Sequence, residues 1–351
     1  PMFADWSDCG LMLLKAHMTT GNPLLAFDAR TIGDHYPGIG RYAFGLWTAL
    51  GERVGVTIID PSLRNTRFPI TGPTRTSLGV RSLWAQIDVP LKLRDADLYY
   101  SPYFLMPYAR PCPAVVTLYD ATPLSRPGMS ALGRLVFRLA HWLAGRVAGR
   151  VIVLSESARE EMAALGVPRE KMRVCPPGVD PKFHPASADA IAQVKRKYDL
   201  PDEFWLCFGS TRWHKNTRAA IEAARERTVV IVGLPNTGIA KLPYIAENDL
   251  PAVYSAARAF IFPSLREGFG LPIIEAMACG TPVVCLPAPG VKEAAGDAAM
   301  MAAEMTTEAL ADAVRRLDDA DVWHAKREAG LEWAKRFTWQ STVEAIAAAM
   351  E

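Results

Sequence analysis

Residues 262–284 read Phe262-Pro-Ser-Leu-Arg-Glu267-Gly268-Phe269-Gly270-Leu271-Pro272-Ile-Ile-Glu275-Ala-Met-Ala-Cys279-Gly280-Thr-Pro-Val-Val284. Two glutamates stand eight positions apart, and no single helix holds both. Gly268 and Gly270 disfavour helix, Pro272 belongs at a helix's first position, and Gly280 fits just past its end. The pattern predicts a helix over Pro272–Cys279. Glu267 then lies on the loop ahead of it and Glu275 about one turn inside. The apolar runs on either side, Ala259–Phe262 and Val283–Leu286, read as short strands. Strand, glycine-rich turn, helix and strand make the repeating unit of a parallel sheet.

The same alternation extends upstream. Phe204–Phe208 and Val229–Val232 are strand-like, with helices after Asn216 and over Leu250–Ala257. It then stops at Pro176-Pro177-Gly178-Val179-Asp180-Pro181, with Pro185 beyond, a density of proline that neither strand nor helix tolerates. Before this break the pattern resumes. Strands are expected at Leu24–Phe27, Val54–Ile59, Leu98–Tyr100, Ala114–Leu118 and Val151–Leu154. Helices are expected over Tyr42–Leu50, Trp84–Leu93, residues 131–148 and Ser157–Leu165.

The fold class is therefore α/β, with two Rossmann-like domains of parallel sheet. Open sheets of this kind bind ligands beyond the carboxyl ends of their strands, so a central cleft faced by both sheets is expected. The division reads as a leader over 1–22, a first domain over 23–175, a linker over 176–188 and a second domain over 189–335. A C-terminal helix over 336–351 is expected to return to the first domain.

Composition narrows the function classes. Half the residues are hydrophobic and the formal net charge is only +2, which argues against a nucleic-acid binder. None of the six cysteines forms a C-x-x-C pair, and buried free thiols in a reducing compartment are expected. No apolar stretch reaches the ~18 residues of a membrane span. Leu11–Leu14 has no basic segment ahead of it and makes a poor signal peptide, whereas Met18 is a natural start.

The N-terminus of the Pro272–Cys279 helix carries roughly half a positive charge, and Gly268-Phe269-Gly270-Leu271 presents bare amides there, a natural diphosphate site. One glutamate could grip sugar hydroxyls and the other a ribose diol; a plain helix with an acid near its start is the alternative for Glu275. Lys215, on the loop Gly209-Ser210-Thr211-Arg212-Trp213-His214-Lys215, is either solvated or a donor to diphosphate oxygens. Gly38-Ile39-Gly40-Arg41 reads as a turn whose glycines admit positive φ and a close ligand, or as a tight turn only. Tyr119-Asp120 ends a buried strand, where Asp120 either positions an acceptor hydroxyl or caps the following turn.

These motifs resemble family 4 of the glycosyltransferases. The match runs through Glu267–Val284 and takes in Gly38-Ile39-Gly40-Arg41-Tyr42, Tyr119-Asp120-Ala-Thr-Pro123-Leu124, Val153-Leu154-Ser155-Glu156-Ser157, Pro177-Gly178-Val179-Asp180 and Leu250–Ala257. It covers the chain from about residue 24 onward. The resemblance implies a GT-B fold and retaining transfer of a hexose from a nucleotide-diphosphate sugar.

By that resemblance, Glu267 contacts the donor sugar and Glu275 the ribose. Gly268, Phe269, Gly270 and Leu271 lie at the donor, the amides of the last three on its phosphates. Lys215 neutralises the diphosphate, and the loop of Gly38 and Gly40 approaches the donor phosphate and the acceptor. The family's arginine position is held by Ser210, with Arg212 a candidate substitute two places on. Tyr119 stands where many relatives have a histidine near the donor sugar, and a tyrosine there is neutral.

No metal and no cofactor are implied. GDP-mannose is the first expected donor and a UDP-hexose the second. The acceptor is expected to be a glycan or lipid-linked glycan of bacterial polysaccharide assembly such as O-antigen, in the cytoplasm. A nucleotide-sugar 2-epimerase and a non-catalytic nucleotide-sugar sensor are the other readings. A nicotinamide oxidoreductase is disfavoured by the missing G-x-G-x-x-G. Arg134, Arg138, His141, Arg146 and Arg150 among apolar residues over 131–150 suggest peripheral contact with the inner face of an anionic membrane.

Overall fold

The computed structural model describes residues 24–33, 37–65, 67–234, 241–242 and 244–350. The expected leader, 1–22, lies outside the described residues. The chain divides into two compact units.

The first unit takes the chain up to Leu124, then Gly128–Gly178 and Trp339–Glu351. Its elements are β1 (Leu25–Asp28), α1 (Pro37–Leu50), β2 (Val54–Ile59), β3 (Thr74–Thr76), α2 (Ala85–Lys92), β4 (Leu98–Ser101), β5 (Ala114–Leu118), α3 (Ala131–Val147), β6 (Arg150–Val153), α4 (Glu156–Ala164) and β7 (Met172–Val174). Seven parallel strands run in the order β3-β2-β1-β4-β5-β6-β7. β1, β4 and β5 are buried along their whole length, because helices cover both faces of a parallel sheet. α3 and α4 start where serine hydroxyls, Ser130 and Ser155, accept from the amides of Gly133 and Ala158.

The helix expected from Tyr42 begins instead at Pro37, a residue whose fixed φ suits a first helical position. Gly38 and Gly40 therefore lie inside the first turn of α1 rather than in a free turn, and neither has positive φ. Gly40 serves packing: a Cβ there would stand 3.0 Å from Thr31 O. A Cβ on Gly38 would meet open space.

The second unit spans Val179–Thr338, with Ser125–Pro127. It contains α5 (Ala188–Tyr198), β8 (Trp205–Phe208), α6 (Thr217–Ala223), β9 (Val229–Val232), β10 (Lys241–Leu242), α7 (Leu250–Ala256), β11 (Ala259–Phe262), α8 (Leu271–Ala278), β12 (Val283–Cys285), α9 (Val291–Ala295), β13 (Met300–Met301), α10 (Thr307–Arg316) and α11 (Ala320–Ala334). Six parallel strands run β10-β9-β8-β11-β12-β13, so in both sheets the winding reverses once, where the chain crosses from the third strand back past the first to place the fourth. The edge strands β3, β7, β10 and β13, two or three residues each, carry too little pattern to be read from sequence, and α5 was likewise unread.

The last helix, α12 (Trp339–Ala349), belongs to the first unit and packs on α1. A Cβ at Gly45 would overlap the Trp339 ring, so glycine makes the slot this indole fills. Thr342 Oγ1 donates to Pro176 O at 2.8 Å, and Arg150 Nε donates to Ala349 O at 2.7 Å.

Candidate active site

The reversal of the second sheet falls between β8 and β11, neighbours whose following helices leave toward opposite faces of the sheet. This brings the loop after β8 against the loop after β11. Leu265 N–H donates to His214 O at 2.7 Å and ties the two together. Lys215 closes a short 3₁₀ turn, Trp213–Lys215, and Asn216 in the left-handed region redirects the chain into α6. The Lys215 ammonium donates to Glu267 Oε1 at 2.7 Å and lies 5.4 Å from the centre of the Phe262 ring.

Ser210 is committed to this loop. Its hydroxyl accepts from Arg212 N–H at 3.1 Å, and its own N–H donates to Thr217 Oγ1 at 3.1 Å. Arg212 is exposed at the same bend. His214 is half-buried, and desolvation lowers its pKa below the ordinary imidazole value.

The loop after β11 carries Glu267 to the start of α8. Gly270 takes φ +115° as the residue ahead of the helix, and Leu271, one position before the expected start, is its first residue. Pro272 has no N–H, and that of Ile273 donates to Gly270 O at 2.9 Å. The amides of Phe269, Gly270 and Leu271 thus form the mouth of the helix, where its positive end adds to them. The Phe269 side chain turns the other way, edge-on to Phe337 in the core. At the far end, Gly280 with φ +73° stops the helix.

Glu275 lies one turn inside α8 and is 3 % exposed. Its Oε2 accepts a 3.1 Å hydrogen bond from the fully buried Tyr254 hydroxyl on α7. Tyr254 is a residue that sequence reasoning missed, because one tyrosine on a short helix carries no signal of its own. Its ring is fixed by Phe183, Phe208 and Phe260. Gly290 was missed for the same reason. It has φ +76°, and a Cβ there would come within 2.1 Å of Glu267 O, so only glycine lets this backbone support the glutamate loop. Glu267 N–H donates to the adjoining Pro289 O at 3.3 Å.

In the first unit, Tyr119 and Asp120 follow β5 directly. The Tyr119 hydroxyl donates to Pro102 O at 2.8 Å, and its ring meets Tyr42 edge-on at 5.6 Å. Burial holds its pKa well above the ordinary phenol value. Asp120 Oδ1 accepts from Thr122 N–H at 2.8 Å, the turn-capping role. The structure thus brings Lys215, Glu267 and the start of α8 together in one unit, and sets Tyr119, Asp120, Gly38 and Gly40 in the other.

Residues 37–183 match the family described as Glycosyltransferase Family 4, and residues 185–319 the one described as Glycosyl transferases group 1. An O-antigen chain mannosyltransferase B of Escherichia coli is 29% identical, over 74% of this chain and 74% of that protein. A 2-deoxystreptamine glucosyltransferase of Streptomyces kanamyceticus is 26% identical, over 63% of this chain and 65% of that protein. Among solved structures, Anabaena Alr3699/HepE in complex with UDP and glucose superposes with a TM-score of 0.74 at 20% identity, covering 92% of this chain and 98% of that one.

Proposed function

The chain belongs to the family 4 glycosyltransferases and has their GT-B fold, and on that premise we propose that it moves a hexose, with retention, from a nucleotide-diphosphate donor to a glycan or lipid-linked glycan. The observation that carries the reading is the cation–carboxylate pair of Lys215 and Glu267 ahead of the α8 start, with Glu275 one turn inside. An ammonium and a helix N-terminus suit a diphosphate, and a carboxylate beside them suits sugar hydroxyls. Glu275 takes the ribose diol, and Arg212, exposed on the loop that Ser210 shapes, supplies a second cation for the phosphates.

In the reaction the bond from the anomeric carbon to the β-phosphate oxygen breaks as the acceptor oxygen bonds to the same face of that carbon. The acceptor's proton passes to a phosphate oxygen. Lys215 and the α8 amides stabilise the charge growing on the leaving diphosphate, so the protein contributes positioning and electrostatics and no resident metal or cofactor. Tyr119, whose hydroxyl proton is engaged by Pro102 O, offers the substrate an acceptor oxygen, and Asp120 serves the acceptor side.

The mannosyltransferase relative supports GDP-mannose as donor and O-antigen-type polysaccharide assembly as the setting. The glucosyltransferase relative favours a UDP-hexose as the second reading. Five buried free thiols, Cys112, Cys175, Cys207, Cys279 and Cys285, suit the reducing cytoplasm. A thermal-shift panel of GDP, UDP, TDP and ADP with their sugars tests this: a ligand at 100 times its Kd stabilises by ~2.7 kcal/mol. GDP and GDP-mannose are expected to stand out. Indifference to every nucleotide and sugar nucleotide would sink the reading.

A further inference from the structure

Helix α3 is apolar on the wrong side. Ala140, His141, Ala144 and Gly145 pack inward on the sheet. At 100° per residue, Leu132, Leu135 and Leu139 point away from them, with Val136 and Trp142 at the margins, and all five are exposed. The exposed face of α3 is therefore a lipophilic stripe. Arg134 and Arg138 run along one flank of it and Arg146 lies at its C-terminal end, all exposed. The helix contains no aspartate or glutamate.

A second helix repeats the arrangement. Ala85 and Val89 of α2 are buried, while Leu83, Trp84, Ile87 and Leu91 are exposed, Leu83 to 87% and Trp84 to 71%. The inward faces of α2 and α3 join one buried cluster with the sheet, so both lie on the same side of it. The chain between β4 and β5 links them. Gln86 Nε2 donates to Met106 O at 2.9 Å, Phe104 stacks on His141 at 4.1 Å, and Arg110 donates to Val147 O.

We propose that the outer faces of α2 and α3 form one docking surface for an anionic phospholipid bilayer. The apolar side chains enter the acyl boundary and the arginines of α3 meet the headgroup phosphates. This goes beyond the transferase reading and stands on residues outside the candidate site. Charge selects this occupant over a second copy of the chain. A twofold contact through the same face would set the acid-free α3 of one copy against its equivalent and bring arginines together.

The test is flotation of the full chain with vesicles of phosphatidylcholine, alone or mixed with phosphatidylglycerol. Binding is expected to the mixed vesicles and to weaken with salt. Arg134→Glu and Arg138→Glu should each lower vesicle affinity about fivefold or more. Leu135→Ser with Leu139→Ser, and separately Leu83→Ser with Trp84→Ser, should each abolish flotation. Unchanged melting and unchanged nucleotide-diphosphate binding would establish that these variants fold. The proposal is overturned if the wild-type chain ignores anionic vesicles, or if the α2 variant floats like wild type. It is also overturned if the same substitutions dissolve a concentration-dependent dimer that never binds lipid.

Discussion

The Lys215 ammonium and the Glu267 carboxylate form a 2.7 Å ion pair across the mouth of α8, although 52 residues separate them in the chain. Both are largely shielded, at 25% and 14% exposure. Each group holds the other in place, and on the proposed function a donor would offer both new partners, phosphate oxygens for the ammonium and sugar hydroxyls for the carboxylate.

That exchange makes the two residues separable. Lys215→Met should lower kcat/KM by about 100-fold or more, the scale on which a preorganised donor to a leaving oxyanion acts. Glu267→Gln should depress turnover while leaving affinity for the free nucleotide diphosphate nearly intact. Initial rates with the full donor beside calorimetry with the free nucleotide check both. A Glu267→Gln enzyme that no longer bound the free nucleotide would reverse the assignment.

Glu275 should behave in the opposite way. Glu275→Ala is expected to weaken free nucleotide-diphosphate binding by about 1.5–3 kcal/mol, the worth of a charged hydrogen bond. Tyr254→Phe removes the 3.1 Å hydrogen bond to Oε2 and should cost about 1 kcal/mol of the same affinity, with turnover at saturating donor preserved. Wild-type affinity in the Glu275→Ala enzyme would remove Glu275 from the nucleotide site.

Activity should survive chelation, because the proposed phosphate site is built from an ammonium and helix amides. Rates that vanish in EDTA and return with manganese would contradict it.

The first unit has its own buried charge pair. Arg30 Nε and Nη2 donate to the two oxygens of Asp28 at 2.8 and 2.7 Å, Tyr99 donates to the same carboxylate, and Arg30 Nη1 caps Leu78 O at 2.9 Å. Arg30 is 1% exposed and Asp28 3%. Arg30→Ala strands the carboxylate in the core and should cost about 3–5 kcal/mol of the first unit's stability, read from urea unfolding. Loss of under 1 kcal/mol would mean that water reaches Asp28.

His141 sets a pH dependence. It packs against both Phe104 and Phe137, its Nδ1–H donates to Phe137 O at 2.9 Å, and burial pushes its pKa down to about 4. From pH ~6.5 down to that value the unfolded chain takes up a proton that the folded chain refuses. Stability is therefore whole above pH ~6.5 and falls on acidification through this window, by up to ~1.4 kcal/mol per pH unit. His141→Phe should flatten that part of the curve, measured by denaturation across the range. A variant with the wild-type slope would show that His141 is not the group responsible.

Apolar runs such as Ala259–Phe262 and Ala114–Leu118 were legible because both faces of a parallel strand are buried, leaving nothing to alternate. The glutamate stretch was legible because glycine and proline fix where α8 can start and stop. The first glycine pair misled: Gly38 and Gly40 looked like a turn, yet Pro37 starts a helix, and a Cβ on Gly40 would crowd the backbone of Thr31 and Gly33. Tyr254, Gly290 and the Asp28–Arg30 pair were invisible for another reason. Each acquires its role from a partner 21 to 71 residues away or from burial, and local pattern records neither.

The return of α12 has a consequence for synthesis. Residues 179–338 are contiguous, so the second unit has all its strands and helices as soon as that stretch leaves the ribosome. The first unit, although translated earlier, lacks Trp339 in the slot at Gly45 and the carbonyl of Ala349 for Arg150 until the later stretch has been made. Its α1 surface stays uncovered until Trp339 and the residues after it have been made.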